Sequence, residues 1–229
     1  MSHQFTRLEH PWPAVLMHWA HLLSFFVLIA TGLQIHAHTD WFGVLGSIRQ
    51  VHFIAMYVFI LTTVARIYWA FFGPGSAALG GLQRHRDWKF FAINGADVKS
   101  TPSWIAYYLF LRKNKPHVVK YGSLQKLTYG ILFPLGILVM ALSGFAMFLP
   151  TAGSMLWLTN AVGGLNGVRL IHYLGMWVLI MFFMIHLYLV VVEEPAQAAM
   201  MLLRTVPKSM RVPGDYPAET PAASSGERA

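Results

Sequence analysis

An all-α integral membrane protein, a bundle of four helices with one long cytoplasmic loop, is what this sequence predicts. Three observations carry that prediction. Of the 229 residues, 56% are apolar but only 11% are charged, where a soluble domain carries roughly 25% charged residues. Four stretches approach or exceed the roughly 20 apolar residues needed to cross a hydrocarbon core of about 30 Å. The 17 Lys and Arg gather at alternate ends of those stretches, so the formal charge of +8 reports topology before it reports a nucleic-acid partner. The chain has no Cys, which excludes disulfides, thiolate nucleophiles, Cys-ligated iron-sulfur clusters and covalent C-x-x-C-H attachment of a macrocycle. A metal would have to be held by His, Met or oxygen.

The spans fall at residues 14–36, 47–72, 127–149 and 168–192. The first is too long for the apolar core of a signal peptide, and no small-residue cleavage site follows Thr31-Gly32-Leu33-Gln34, so it is expected to remain as a signal anchor. Only Arg49 and Arg169 lie at the ends of the connections after spans one and three. The positive-inside rule therefore puts both termini in the cytoplasm, in a multi-pass protein of the cell membrane. The connection from Gly73 to Lys126 is long and basic, and its charges are expected to be solvated or to sit against anionic headgroups. Within it, Thr101-Pro102 supplies an N-cap and an N1 proline ahead of an aromatic, apolar stretch, predicting a short interfacial helix over 102–111. Residues 1–211 form one membrane domain, and the Pro-, Ala-, Ser- and Gly-rich composition of 212–229 predicts a disordered cytoplasmic tail.

The informative residues are histidines, because a polar side chain inside a bilayer is costly and turns toward the bundle interior and a partner. The predicted spans hold six of the eleven. His36 lies at an outer end, where water reaches it, and His21 reads as an interhelical hydrogen-bonding residue or a support for a neighbour. At 1.5 Å per residue, His18 and His186 each lie about 6 to 9 Å inside the cytoplasmic ends of spans one and four. His52 and His172 lie roughly 6 to 8 Å inside the opposite ends of spans two and four. His172 and His186 are 14 residues apart, which is within about 40° of four full turns and spans roughly 21 Å of height. Span four thus carries both on one face. Two imidazole pairs stacked in a helix bundle suit bis-imidazole, b-type haem, whereas tetrahedral zinc needs its ligands at one level. The competing reading is four independent hydrogen-bonding histidines. Arg49 and Arg169 each precede a histidine of the outer pair by three residues, on the same face and one turn nearer the membrane surface. They suit haem propionates, with interfacial snorkelling as the alternative.

On these residues the chain resembles the b-type cytochrome subunit of respiratory nickel-iron hydrogenases, and more distantly the gamma subunit of membrane formate dehydrogenases. The likeness covers nearly all of 10–194: His18-Trp19 with Thr31-Gly32 in span one, Arg66-Ile67-Tyr68-Trp69-Ala70-Phe71-Phe72-Gly73 ending span two, and Val168-Arg169-Leu170-Ile171-His172-Tyr173-Leu174-Gly175-Met176-Trp177 continuing to Ile185-His186-Leu187-Tyr188 in span four. The resemblance implies two haems b, liganded by His18 with His186 and by His52 with His172, that carry electrons between periplasmic catalytic and iron-sulfur subunits and membrane quinone, either menaquinone or ubiquinone. Relatives often carry an Arg three residues before the first-span His, where this chain has Val15. Arg7, Arg66 and Arg204 are then the candidate cations for the inner haem. A Lys-Tyr-Asn-x-Gly-Gln-Lys segment that lines the menaquinone pocket in the formate dehydrogenase relatives reads Lys120-Tyr121-Gly122-Ser123-Leu124-Gln125-Lys126 here. Tyr121 and Gln125 are the matching quinone contacts, with an interfacial belt residue and a polar helix-start residue as the competing readings.

The sequence thus points to a di-haem electron-transfer subunit that anchors a periplasmic hydrogenase and passes its electrons to quinone. With no thiolate, this chain cannot itself split hydrogen by nickel-iron chemistry. The nearest alternative is the same role for a formate dehydrogenase or another molybdenum oxidoreductase. A His-lined metal or proton transporter is the alternative of another class, and it predicts Asp or Glu within the spans, where this sequence has none.

Overall fold

The computed structural model describes residues 11–73, 86, 88–114, 116, 122–193 and 195–203. Arg7, Lys120, Tyr121, Arg204 and the tail 212–229 lie outside the described residues. Those residues form helices and connections with no strand. Four helices are long and apolar enough to cross a membrane, Trp12–Ala37, Leu45–Phe72, Ser123–Met147 and Leu165–Val192. They correspond to the four predicted spans, and each begins two to four residues earlier than predicted.

Side-chain contacts order the spans into an antiparallel ring. Span one meets span two through Phe25 and Phe59 and meets span four through Phe25 and Phe183. Span two meets span three through Phe53 and Phe148, at the end of the latter. A core cluster of Phe25, Phe59, Ile137 and Leu179 takes one buried side chain from each span. Each span turns apolar side chains outward as well as inward, as membrane helices do when lipid covers their outer faces. "Inner" here denotes the end of the bundle where the described chain begins and ends, and "outer" the opposite end.

Two spans are irregular at the inner end. Thr128–Leu132 in span three and Leu189–Glu193 in span four are π-helical turns. Each closes just ahead of a proline, Pro134 and Pro195. A proline has no N–H to give to the carbonyl four residues back, and its ring crowds that carbonyl. The preceding turn widens in response, and the Phe133 N–H reaches back to the Thr128 carbonyl. At the outer end, Gln34 is fully buried and ties down the connection after span one. Its Nε2 donates to the Gly43 carbonyl at 2.7 Å, and its Oε1 accepts from the Phe42 N–H at 3.1 Å.

The helix predicted over 102–111 starts earlier, running from Gly95 to Tyr108 with Pro102 inside it. A capping box sets its start: Asn94 Oδ1 accepts from the N–H groups of Ala96 and Asp97, and Asp97 Oδ2 accepts from the Asn94 N–H. Thr101 is therefore not a cap, and its hydroxyl donates back to the Asp97 carbonyl at 2.9 Å. The helix docks on the start of span three. Trp104, 2% exposed, lies so close to Gly122 that a Cβ there would come within 2.7 Å of the indole. Lys126 Nζ donates to both carboxylate oxygens of Asp97 at 2.9 Å. Lys126 is thus held by an internal ion pair. The outer connection between spans three and four holds short helices, Leu149–Ala152 and Leu156–Ala161, that the sequence pattern did not reveal.

Candidate functional site: two levels of histidine

Span one carries His18 and span four carries His186, and the bundle brings their rings to 6.4 Å between centroids, tilted by 51°. Two imidazoles that share one metal through bonds of about 2 Å have centroids about 6 Å apart, so this spacing fits a single iron between them. At the outer level a Cβ on Gly32 would meet His52 of span two and Met176 of span four, and one on Gly144 would meet His172 of span four and Met56 of span two, so His52 and His172 stand at one height. The fold thus brings His18 and His186 ring to ring and sets His52 and His172 at one level. Among the described residues no three His, Asp or Glu side chains converge to hold a metal ion. Each level offers a pair of nitrogen donors, which suits a macrocyclic metal centre and not a zinc cage.

Sequence reasoning missed the groups that hold the rings. Thr31 Oγ1 lies 2.8 Å from His52 Nδ1, and Ser143 Oγ lies 2.9 Å from His172 Nδ1. Tyr129, in the π turn of span three, has its hydroxyl 2.8 Å from His186 Nδ1. In all three histidines the contact engages Nδ1 and leaves Nε2 for another ligand. Such outer contacts set ring orientation and donor strength in metal-binding histidines. His18 Nδ1 is buried without a hydrogen-bond partner among the described residues. One signal was available in the sequence: Tyr129 and Ser143 stand 14 residues apart, the same interval as His172 and His186. In two antiparallel helices, equal intervals repeat the same contact at two heights.

Small residues open space beside the outer rings. Thr31 is followed by Gly32 and Ser143 by Gly144, and a Cβ at either glycine would lie 3.5 Å from Cε1 of His52 or His172 respectively. Between the two levels sits the apolar layer of Phe25, Phe59, Ile137 and Leu179. His21 lies beside this layer, its ring 3.8 Å from that of Phe59 and its Nδ1 3.3 Å from Thr62 Oγ1 of span two. It is an interhelical hydrogen-bonding residue, as its position predicted.

Arg49 and Arg169 stand exposed at the outer ends of spans two and four, and Arg169 Nη1 donates to Asn166 Oδ1 at 3.3 Å. Arg66 lies within electrostatic reach of His18 at the inner level. It is 14 residues beyond His52, so one face of span two carries both. Trp69, one turn further, has its indole Nε1 buried without a hydrogen-bond partner among the described residues. Gln125 caps span three: its Oε1 accepts the Gly122 N–H at 2.9 Å. Its carbonyl is therefore committed locally, as the helix-start reading predicted.

Residues 9–207 match a family model described as prokaryotic cytochrome b561. A probable Ni/Fe-hydrogenase B-type cytochrome subunit from Azotobacter vinelandii is 31% identical over 201 residues, covering 80% of this chain and 79% of that protein. Its counterpart from Rhodobacter capsulatus is 29% identical, covering 80% of this chain and 72% of that protein. A protein of Azospira oryzae that carries the name of a protein-methionine-sulfoxide reductase subunit is 27% identical over 216 residues, 87% of this chain and 98% of that protein.

Proposed function

The chain belongs to the prokaryotic cytochrome b561 family, and from that premise we propose that it is a di-haem b subunit carrying electrons across the cell membrane between a periplasmic hydrogenase and quinone. The observation that carries the reading is the pairing of imidazoles from different spans at two heights, with the inner pair 6.4 Å apart. In this reading His18 and His186 hold the inner haem iron, and His52 and His172 the outer. Haem supplies one-electron chemistry through the ferric and ferrous states of its iron. The chain supplies the rest. Its hydroxyls orient three of the four imidazoles, its core keeps water from the space between the levels, and its arginines offset the negative charge of carboxylates. Arg49 and Arg169 take that role at the outer level. Arg66 takes it at the inner level, with the Trp69 indole as a further donor.

Both termini are cytoplasmic in this reading, so the outer level faces the periplasmic catalytic and iron-sulfur subunits. Quinone, menaquinone or ubiquinone, binds at the inner end, between residues 102–111, the segment 120–126 and the His186 edge. The docking of Trp104 on Gly122 and of Asp97 on Lys126 supports a built wall there, with Tyr121 and the amide nitrogen of Gln125 as candidate contacts. Quinone reduction at that end takes up cytoplasmic protons. Oxidation of hydrogen releases protons outside, so turnover builds a membrane potential without a proton channel through the spans.

A second reading keeps the same membrane role but changes the partner. It is favoured by the Azospira relative, which is named for a reductase and not for a hydrogenase and which this chain matches over 98% of its length, and it takes formate dehydrogenase or another molybdenum oxidoreductase as the redox partner. Purification of the chain with its native partners decides between the two. Co-isolation of a nickel-containing hydrogenase supports the first, and a molybdenum enzyme in its place supports the second. A pyridine haemochrome assay tests what both share: two haems b per chain are expected, and a ratio near zero overturns both.

A further inference from the structure

The two hydroxyls at the outer level have already committed their protons. Thr31 Oγ1 donates to the Val27 carbonyl at 2.6 Å, and Ser143 Oγ donates to the Val139 carbonyl at 2.7 Å, each one turn back along its own helix. A hydroxyl has a single proton and two acceptor positions. Toward His52 Nδ1 at 2.8 Å and His172 Nδ1 at 2.9 Å these oxygens can therefore only accept. In that arrangement both Nδ1 atoms carry the proton, which at His172 the Met140 carbonyl also favours, and in a neutral imidazole that leaves Nε2 with a bare lone pair. Thr31 and Ser143 are only 5% and 4% exposed, so water does not compete for either contact.

We propose that Thr31 and Ser143 are positioning residues that lock His52 and His172 in the Nδ1–H tautomer and so make Nε2 of each the iron ligand. They do not touch iron and act only through the two imidazoles. The assignment rests on the di-haem reading and adds to it which nitrogen binds and which residues decide that. Accepting a hydrogen bond from Nδ1–H also makes an imidazole a stronger donor to its metal, which favours ferric over ferrous iron. The lock therefore lowers the potential of the outer haem as well as tightening its binding. Thr62 makes the same arrangement elsewhere: its hydroxyl donates to the Val58 carbonyl at 2.8 Å and meets His21 Nδ1 at 3.3 Å. His21 belongs to neither pair, so Thr62 is a control built into the same helix hairpin.

The test uses the full chain, loaded with haem, as wild type and as Thr31→Val, Ser143→Ala, Thr31→Ser and Thr62→Val. Haem affinity, the redox midpoint of each haem and the low-spin paramagnetic resonance of the ferric outer haem are measured. Thr31→Val and Ser143→Ala should each weaken outer-haem binding by about 10- to 100-fold. The haem that remains should titrate at a higher potential, with an altered resonance and an unchanged inner haem. Thr31→Ser, which keeps the hydroxyl, should restore wild-type values, and Thr62→Val should leave the outer haem as it was. Retention of the inner haem shows that a variant has folded. If Thr31→Val loses both haems, the potential in Ser143→Ala decides. Wild-type affinity and potential in the folded Ser143→Ala or Thr31→Val protein would overturn the assignment, whereas a wild-type chain that binds no haem would overturn the di-haem reading itself.

Discussion

The outer and inner levels of the bundle solve one problem with different parts. At the outer level both rings are held by small aliphatic hydroxyls, Thr31 and Ser143, set in regular helix and already bonded to their own backbone. At the inner level one ring meets a phenol, Tyr129, in a π turn, and the other has a buried Nδ1 without a partner among the described residues. The outer level is thus built on regular helix throughout. The inner level takes Tyr129 from the turn widened ahead of Pro134, and a second widened turn begins just beyond His186. Where π turns interrupt membrane helices, function is a frequent reason, and the inner level is where the proposed reading puts exchange with quinone.

The largest effect that bears on this contrast is loss of a ligand. His52→Ala and His172→Ala should each take the haem-to-protein ratio from two toward one and remove the same spectral component, while His18→Ala and His186→Ala remove the other. Loss of one shared component in His18→Ala and His172→Ala would break the two-level description. Next comes the layer between the levels. Leu179, 4% exposed, packs with one buried residue from each other span, and truncating a fully buried Leu to Ala typically costs about 2 to 5 kcal/mol. Thermal release of haem from detergent-solubilised Leu179→Ala should therefore move to lower temperature for both components together, and release of one alone would show that the layer does not couple them.

A smaller effect separates the cations of the two levels. Removing a positive charge near a haem disfavours the electron-rich reduced state, so Arg49→Ala and Arg169→Ala should lower the outer potential alone. Both side chains are exposed, so the shift should be on the order of 1 kcal/mol, roughly 40 mV for one electron. Arg66→Gln should lower the inner potential and leave the outer one in place. Potentiometric titration of the three variants checks the assignment, and an inner shift in Arg49→Ala would count against it.

The smallest expected effect is confined to the inner end. Burial pushes the Asp97 carboxyl up, but hydrogen bonds from Lys126 and from the Asn94 N–H, with the charge of Lys126, outweigh it and hold the group below its ordinary value. A carboxyl depressed in the folded state stabilises above its unfolded value and loses that contribution as pH falls through the folded one. Acidification below the usual carboxylate range should therefore loosen the helix Gly95–Tyr108 from span three. With side chains 14% and 15% exposed, the pair is worth no more than about 1 kcal/mol. The emission of Trp104, isolated by difference against Trp104→Phe, should shift to the red on acidification. In Asp97→Asn it should be shifted already at neutral pH, and the outer haem should respond in neither case.

Much of this was legible in the sequence. A bilayer demands long apolar runs and closes off other ways of satisfying the backbone, so the four spans could be counted directly. The fixed rise of a helix turned the positions of His18, His52, His172 and His186 into heights, and the same arithmetic paired them. The start of the interfacial helix was misplaced because Thr101-Pro102 carries the usual signs of a helix start, and only the fold shows Asn94 and Asp97 closing a capping box upstream. Which hydroxyl meets which imidazole was also beyond a linear reading. Thr31 and His52, or Ser143 and His172, are joined by the register of two antiparallel helices, and that register is set by side-chain packing along their whole length. Periodicity within one helix thus determined which residues share a face and at what depth. Only the tertiary structure decided what each face meets, because a contact between helices depends on rotation and offset that neither helix specifies alone.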